Sequence, residues 1–235
     1  MTPSVAPQSP WIFGYGSLMW RPGFAFRARA RAWLPGYERA FCRYSFRHRG
    51  TPQRPGLVIG LREIEAGPAA ASAAHGAAAR GWAEGGCVGI AFLPEPDSLA
   101  ETMAYLDERE GAGYRRVLRP ITLLGGPQPA ASAPRDKRPG ELSAPREVRS
   151  AAVIQAWVYV PNPEHPSYFG QKDPAQIVPL ILQGRGESGT AYDYLAAMLG
   201  ELHKIGVAEP ELEAVLRAVE ARREEGATAA ILRPV

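Results

Sequence analysis

Trp11-Ile12-Phe13-Gly14-Tyr15-Gly16-Ser17-Leu18-Met19-Trp20-Arg21-Pro22-Gly23 joins an apolar strand to a turn punctuated by glycine. Glycine tolerates positive φ and lets a ligand come close to the main chain. Gly14 and Gly16 around the small polar Ser17 therefore suit a concave nest of N–H groups that binds an anion. An ordinary strand end closed by an apolar plug fits the same residues equally well.

A second segment weighs on that choice: Tyr105-Leu106-Asp107-Glu108-Arg109-Glu110-Gly111-Ala112-Gly113-Tyr114-Arg115-Arg116. Its approach, from Asp97 to Arg109, has helical spacing, with Asp97 or Ser98 as the cap and Leu99, Met103 and Leu106 on one face. Glu110 follows that stripe and precedes a Gly-Ala-Gly break, so its carboxylate is expected where a helix hands over to a loop. Such a place suits a catalytic acid or base. The competing reading makes Asp107, Glu108, Arg109 and Glu110 a solvated charge run at a helix end.

Working outward, strand patterns cover Trp11 to Tyr15, Tyr37 to Tyr44, Leu57 to Leu61, Cys87 to Leu93, Arg116 to Leu124 and Val153 to Val160. Turns and helices separate them without a regular βαβ order, which predicts an α+β fold rather than a doubly wound sheet. Two stretches, near 66–86 and 125–147, are rich in Ala, Gly, Pro and charge and carry no periodicity; they read as surface insertions. The C-terminal third is helical. Asp173-Pro174 predicts a capped start that Pro179 should kink or end early. Thr190 starts a stronger helix with Leu195, Met198, Leu199, Leu202 and Ile205 on one face and Gly206 as its stop, and Pro210 opens another through Leu212, Val215, Leu216 and Val219.

At 235 residues and 46% apolar content, the chain can bury one sizeable core, and one domain over 10–235 is the expectation. The formal charge is +3, lysine occurs only at Lys137, Lys172 and Lys204, and the arginines are scattered, unlike a nucleic-acid footprint. Cys42 and Cys87 supply neither a disulfide framework nor metal-site spacing, so a reducing cytoplasm is expected. His48, His75, His165 and His203 lack zinc spacing, and no dinucleotide fingerprint or P-loop is present, so no metal or cofactor is expected. Residues 1–10 lack a leader pattern, and no run nears the ~20 apolar residues that span a bilayer, so no membrane insertion is expected.

Four blocks occur in order: Tyr15-Gly16-Ser17-Leu18-Met19-Trp20; Gly36-Tyr37-Glu38-Arg39 leading to His48-Arg49-Gly50-Thr51-Pro52 and Pro55-Gly56-Leu57-Val58; Tyr105 to Glu110 with Gly113-Tyr114; and Val158-Tyr159-Val160 with Tyr168-Phe169-Gly170. Together they resemble the ChaC-type gamma-glutamylcyclotransferases over roughly residues 10 to 205, insertions aside. The resemblance implies a small mixed β-barrel with surrounding helices and a site at the barrel mouth. It also implies a small-molecule substrate, glutathione or another γ-glutamyl amide, released as 5-oxoproline and, from glutathione, cysteinylglycine. The chain departs from the pattern at Cys42-Arg43, at Phe46-Arg47 and in the Gly-Ala-Gly loop after Glu110, which bear on the Cys-Gly end of the substrate.

A γ-glutamyl amide carries its own nucleophile, because the α-amine reaches the side-chain carbonyl and closes a five-membered lactam. The protein must move one proton and stabilise one oxyanion. Glu110 is the expected acid/base, tuned by a partly apolar surrounding near Tyr15 and Tyr114. The N–H groups of Gly16, Ser17 and Leu18 are the expected anion donors. Tyr114 and Tyr159 match aromatic positions beside the family's site, although each also fits barrel packing. Arg49 suits either the glycine carboxylate of glutathione or a brace for its own turn. The alternatives are a non-catalytic γ-glutamyl-binding or transporter-regulating module, and a hydrolase using Ser17, which lacks the Gly-x-Ser-x-Gly elbow. The sequence leaves the oligomeric state open.

Overall fold

In the computed structural model, which describes residues 11–64, 85–130, 152–170 and 173–231 with side chains through 225, β1 spans Trp11–Gly14 and β2 Phe26–Pro35. There follow β3 (Tyr37–Ser45), β4 (Gly56–Glu63), β5 (Gly86–Pro94), α1 (Leu99–Glu110), β6 (Tyr114–Leu123), β7 (Gln128–Pro129) and β8 (Val153–Pro161). The chain continues through α2 (Pro174–Gln183), β9 (Arg185–Gly186), β10 (Gly189–Thr190), α3 (Ala191–Lys204) and α4 (Pro210–Ile231). It folds as two units, Met1–Glu38 with Glu63–Val160 and Arg39–Arg62 with Pro161–Val235. Most of the two expected insertions lies outside the described residues.

The first unit holds a closed barrel. Strands run in the order β5-β1-β8-β6-β2, and β2 pairs back onto β5, with β7 added to β2. β1 is parallel to β8 and antiparallel to β5, so the sheet is mixed. Ile12 and Phe13 of β1 are fully buried, as in a strand with partners on both edges and packing on both faces. Leu34, Phe92, Ile121 and Val158 from four other strands complete that core. Burying each such side chain stabilises the fold by roughly 1.5–3 kcal/mol.

β2 is the long strand that the sequence pattern did not predict, as it did not the two-residue β7, β9 and β10, and it closes the ring. It pairs with β5 along its whole length, from Phe26 opposite Pro94 to Pro35 opposite Gly86, and with β6 through Ala32 and Trp33. Ala30, Ala32 and Leu34 are buried, whereas Arg27 is exposed and Arg29 and Arg31 are half-buried.

The second unit contains the paired β3 and β4 and the three C-terminal helices. Asp173 accepts from the Ala175 N–H at 2.9 Å and Thr190 from the Asp193 N–H at 2.9 Å, so both predicted caps form. Pro179 does not end α2, which runs on to Gln183. Pro179 and Ala175, whose carbonyl loses its helical partner, both lie on the exposed face, where water can satisfy that oxygen. Leu195, Met198, Leu199 and Leu202 of α3 and Leu212, Val215 and Val219 of α4 are buried. The Arg39 guanidinium, buried with its side chain wholly inaccessible, is neutralised by Glu209 at 2.6 Å.

Candidate active site at the end of helix α1

β1 delivers the chain into a single 3-10 turn, Ser17–Met19. A Cβ added at Gly14 would lie 2.9 Å from the Leu18 Cβ, so glycine is needed there for the turn to fold back on the strand. Positive φ is not the reason for either glycine. Gly16 has φ −120° and ψ −140°, and Gly14 is ordinary strand, which corrects the sequence-based expectation of left-handed geometry. The turn bonds internally through the N–H groups of Met19, to the Gly16 carbonyl at 2.9 Å, and of Arg21, to the Ser17 carbonyl at 2.8 Å. The N–H groups of Ser17 and Leu18 stand ahead of those internal bonds, as at any helical N-terminus.

Helix α1 begins one turn after Pro96 and buries Leu106 completely, with Met103 partly buried. Both join one apolar cluster with Ile12 of β1, Leu18 of the turn, Tyr159 of β8, Phe24 and Tyr114. The same stripe that makes the helix amphipathic thus docks it on the glycine turn. Glu110 is the last helical residue. Gly111 stops the helix at φ +65°, a conformation that strains residues with a Cβ, and donates its N–H to the Asp107 carbonyl at 2.9 Å.

Three of the four charged side chains at this helix end have partners within the fold. Asp107 accepts from the Tyr159 hydroxyl at 2.7 Å and from Arg116 at 2.8 Å, and the Arg116 guanidinium lies 5.2 Å from the Trp157 ring centroid. Arg109 reaches back to the turn, donating to the Ser17 hydroxyl at 3.0 Å and to the carbonyls of Arg21 at 2.6 Å and Pro22 at 3.1 Å. Glu110 has a side chain only 17% exposed, with Oε1 3.7 Å from the Arg109 Nε. Glu108 is exposed.

Among the other expected site residues, Tyr15 is buried and donates its hydroxyl to the Tyr159 carbonyl at 2.8 Å. Tyr159 is buried, and burial, then the hydrogen bond and negative charge of Asp107, push its phenol above the ordinary tyrosine range. It is a neutral donor. Tyr114 packs against the apolar cluster. Arg49 belongs to the second unit, where its guanidinium donates to the carbonyls of Ser188 and Thr190 and lies 5.4 Å from the Tyr194 ring centroid.

Asp107 and Arg109 are the residues that sequence reasoning passed over. The i, i+4 spacing of Tyr105 and Arg109 was the available signal, since it sets a cation beside a ring on one helix face. Cys42 and Cys87 are free and buried, and burial pushes the Cys42 thiol up to about 12, far from a nucleophile's range. Among the described residues no three His, Cys, Asp or Glu side chains gather as a metal-binding group, and no helix is long and apolar enough to cross a membrane.

A closed five-strand mixed barrel, with a glycine turn and the helix that ends at Glu110 docked through one apolar cluster, defines a small mixed-barrel protein with its candidate site at that helix end. Residues 10–222 match the family described as ChaC-like protein, and the chain belongs to that family. It is 28% identical to the human glutathione-specific gamma-glutamylcyclotransferase 1 over 91% of this chain and 79% of that protein. It is 27% identical to the glutathione-specific gamma-glutamylcyclotransferase of Escherichia coli over 95% of this chain and 78% of that one. The crystal structure of a selenomethionine-labelled gamma-glutamyl cyclotransferase specific to glutathione from yeast superposes with a TM-score of 0.68 at 25% identity, covering 90% of this chain and 95% of that one.

Proposed function

We propose that this protein cleaves glutathione to 5-oxoproline and cysteinylglycine, with Glu110 as the single acid/base. The observation that carries the reading is the half-buried Glu110 carboxylate at the C-terminus of a helix whose apolar face packs on Leu18 of the glycine turn. The names of the relatives supply the substrate.

The neutral α-amine of the γ-glutamyl group attacks its own γ-carbonyl, and the C–N bond forms as the carbonyl electrons move onto oxygen. Glu110 takes the proton from the new ring nitrogen. As the oxyanion collapses, the old amide C–N bond breaks, and Glu110 returns that proton to the departing nitrogen and is left ionised as it began. The ring closure is intramolecular in the substrate itself, so the protein supplies orientation and charge rather than a second reactant. The N–H groups of Gly16, Ser17 and Leu18 hold either the α-carboxylate or the oxyanion, main-chain donors serving both equally. Tyr114 and Tyr159 pack in the apolar cluster that seats the helix ending at Glu110, and Tyr15 ties its hydroxyl to the Tyr159 carbonyl.

Two buried free cysteines and a thiol substrate fit a reducing cytoplasm. The family match runs through both units, which supports reading 10–235 as one domain. The test is release of 5-oxoproline by the purified protein from glutathione, γ-glutamyl dipeptides and simple γ-glutamyl amines. Product from glutathione above all others is the expected result. Saturable binding of glutathione with no product from any of them would replace this reading with a non-catalytic module.

A further inference from the structure

We propose that Arg109 is a positioning residue for the proton transfer assigned above to Glu110, its guanidinium fixing the Ser17 turn relative to that carboxylate. The inference rests on that assignment and adds a second residue to it. The guanidinium is a rigid planar fork of five donors, and here it is shared out along the turn. One terminal nitrogen donates to the Ser17 hydroxyl at 3.0 Å, at the head of the turn. The other faces the Arg21 carbonyl at 2.6 Å and the Pro22 carbonyl at 3.1 Å, beyond its tail, with the Tyr105 hydroxyl at 3.1 Å. Nε is left toward Glu110, 3.7 Å from its carboxylate oxygen. One planar group on the residue next to Glu110 therefore grips both ends of the turn that carries the proposed donors.

The exit of the turn is seated on the same helix by shape. Gly23 has φ +76°, and a Cβ added there would run into the Tyr105 hydroxyl, one of the four acceptors around Arg109. The turn keeps its own internal hydrogen bonds through Met19 and Arg21, so loss of Arg109 shifts it as a body without dismantling its donors. A shift on the order of 1 Å between binding group and reacting group is enough to lower turnover about a hundredfold while ground-state binding survives.

The experiment measures kcat and KM for 5-oxoproline release, together with Tm, in the parent, Glu110→Gln, Arg109→Lys, Ser17→Ala and the double variant of the last two. Lysine keeps the charge but presents its donors from a single atom and cannot span head and tail. Arg109→Lys is expected to lower kcat by roughly 10- to 100-fold, with KM within about twofold of the parent and Tm nearly unchanged. Ser17→Ala is expected to lower kcat a few-fold in the parent and to add nothing in the Arg109→Lys background, the signature of two groups acting as one. Parent-like kcat in Arg109→Lys, or fully additive effects in the cycle, overturns the inference. Should Arg109→Lys melt below the assay temperature, Tyr105→Phe takes its place, since it removes one acceptor from the guanidinium and keeps the ring; an unchanged kcat there overturns the inference too. An active parent with an inactive Glu110→Gln and a parent-like Arg109→Lys sinks this inference alone. An inactive parent, or an active Glu110→Gln, sinks the assignment of the reaction and this inference with it.

Discussion

Arg109 and Arg49 are built into their surroundings by the same device and differ in what stands beside them. Each guanidinium donates to two main-chain carbonyls, Arg21 and Pro22 for Arg109, Ser188 and Thr190 for Arg49, and each lies by a tyrosine ring, Tyr105 or Tyr194. Around Arg49 the 47–49 and 187–190 segments are also joined by main-chain bonds from Glu187 to Arg47 and from Ser188 to His48, and by the exposed Arg47–Glu187 pair. Its neighbouring acid, Asp193, is exposed, and the Thr190 hydroxyl first and the Arg49 charge later in order hold that carboxyl below its ordinary range. Around Arg109 the neighbouring acid is the half-buried Glu110, and the anchored loop carries main-chain donors outside its internal bonds. An arginine that ties down carbonyls is a brace anywhere. A site needs in addition a carboxylate withdrawn from water and donors that the brace does not consume.

The largest effect should therefore fall on that carboxylate. Glu110→Gln keeps size and hydrogen-bonding shape but cannot take the amine proton, and 5-oxoproline release is expected to fall by a factor on the order of 10² to 10⁴. Folding should survive, because the helix stop depends on Gly111 and the docking on Met103 and Leu106. Glu108→Gln, on the solvent side of the same turn, should stay close to the parent. Near-normal turnover in Glu110→Gln would erase the contrast between the two arginines.

Substitution of the other arginine should act on stability. Arg49→Met removes the bonds to Ser188 and Thr190 and is expected to destabilise the protein by roughly 1–2 kcal/mol. In a chain of this size that lowers Tm by a few degrees, about 2–4 °C per kcal/mol. Values of kcat should stay near the parent. Comparing KM for glutathione with that for γ-glutamylcysteine sharpens the result. A roughly tenfold rise, about 1.4 kcal/mol, seen for glutathione alone would instead give Arg49 the glycine carboxylate of the substrate.

These contrasts were legible in the sequence to different depths. The run from Trp11 to Gly14 and the helix ending at Glu110 were readable because apolar spacing and a Gly-Ala-Gly stop are local signals. β2 was not, although its Arg-Ala alternation from Arg27 to Ala32 has the period of a strand. Neither residue favours strands by itself, and Ala30 and Ala32 are buried only because β5 and β6 supply the rest of the wall. The charges at 107 and 109 were opaque for a related reason. Their meaning lies in Tyr159 and Ser17, 52 and 92 residues away in sequence, and no periodicity reports such partners.

Tyr159 offers a smaller test through pH. An unfolded tyrosine ionises near pH ~10, whereas burial first and Asp107 second keep the folded phenol protonated to higher pH. Above about pH 10 the folded state then binds more protons than the unfolded one, so this contribution is complete below that pH and declines as pH rises. Urea unfolding between pH 8 and 11 should show Tyr159→Phe with a shallower decline than the parent. A residual slope is expected from Tyr37, whose phenol burial also raises. At neutral pH the lost bond to Asp107 should cost roughly 1–2 kcal/mol. An unchanged alkaline slope would show that the Tyr159–Asp107 bond is not kept in solution.

Ser17→Ala should have the smallest effect, and its size separates two kinds of serine. The hydroxyl is one of four acceptors around Arg109, and its removal leaves the guanidinium on the Arg21 and Pro22 carbonyls and Tyr105. The Ser17 and Leu18 N–H groups are unaltered by the change, because alanine keeps the main chain and the turn's internal bonds run through the main chain. The expected loss is that of one hydrogen bond of modest net strength, about 0.5–1.5 kcal/mol, or a few-fold to tenfold in kcat, with KM and Tm almost constant. A folded Ser17→Ala protein with no turnover would mean that the hydroxyl itself takes part in the chemistry. The glycine turn would then be the seat of a nucleophile, and the comparison between the two arginines would no longer locate the reacting group.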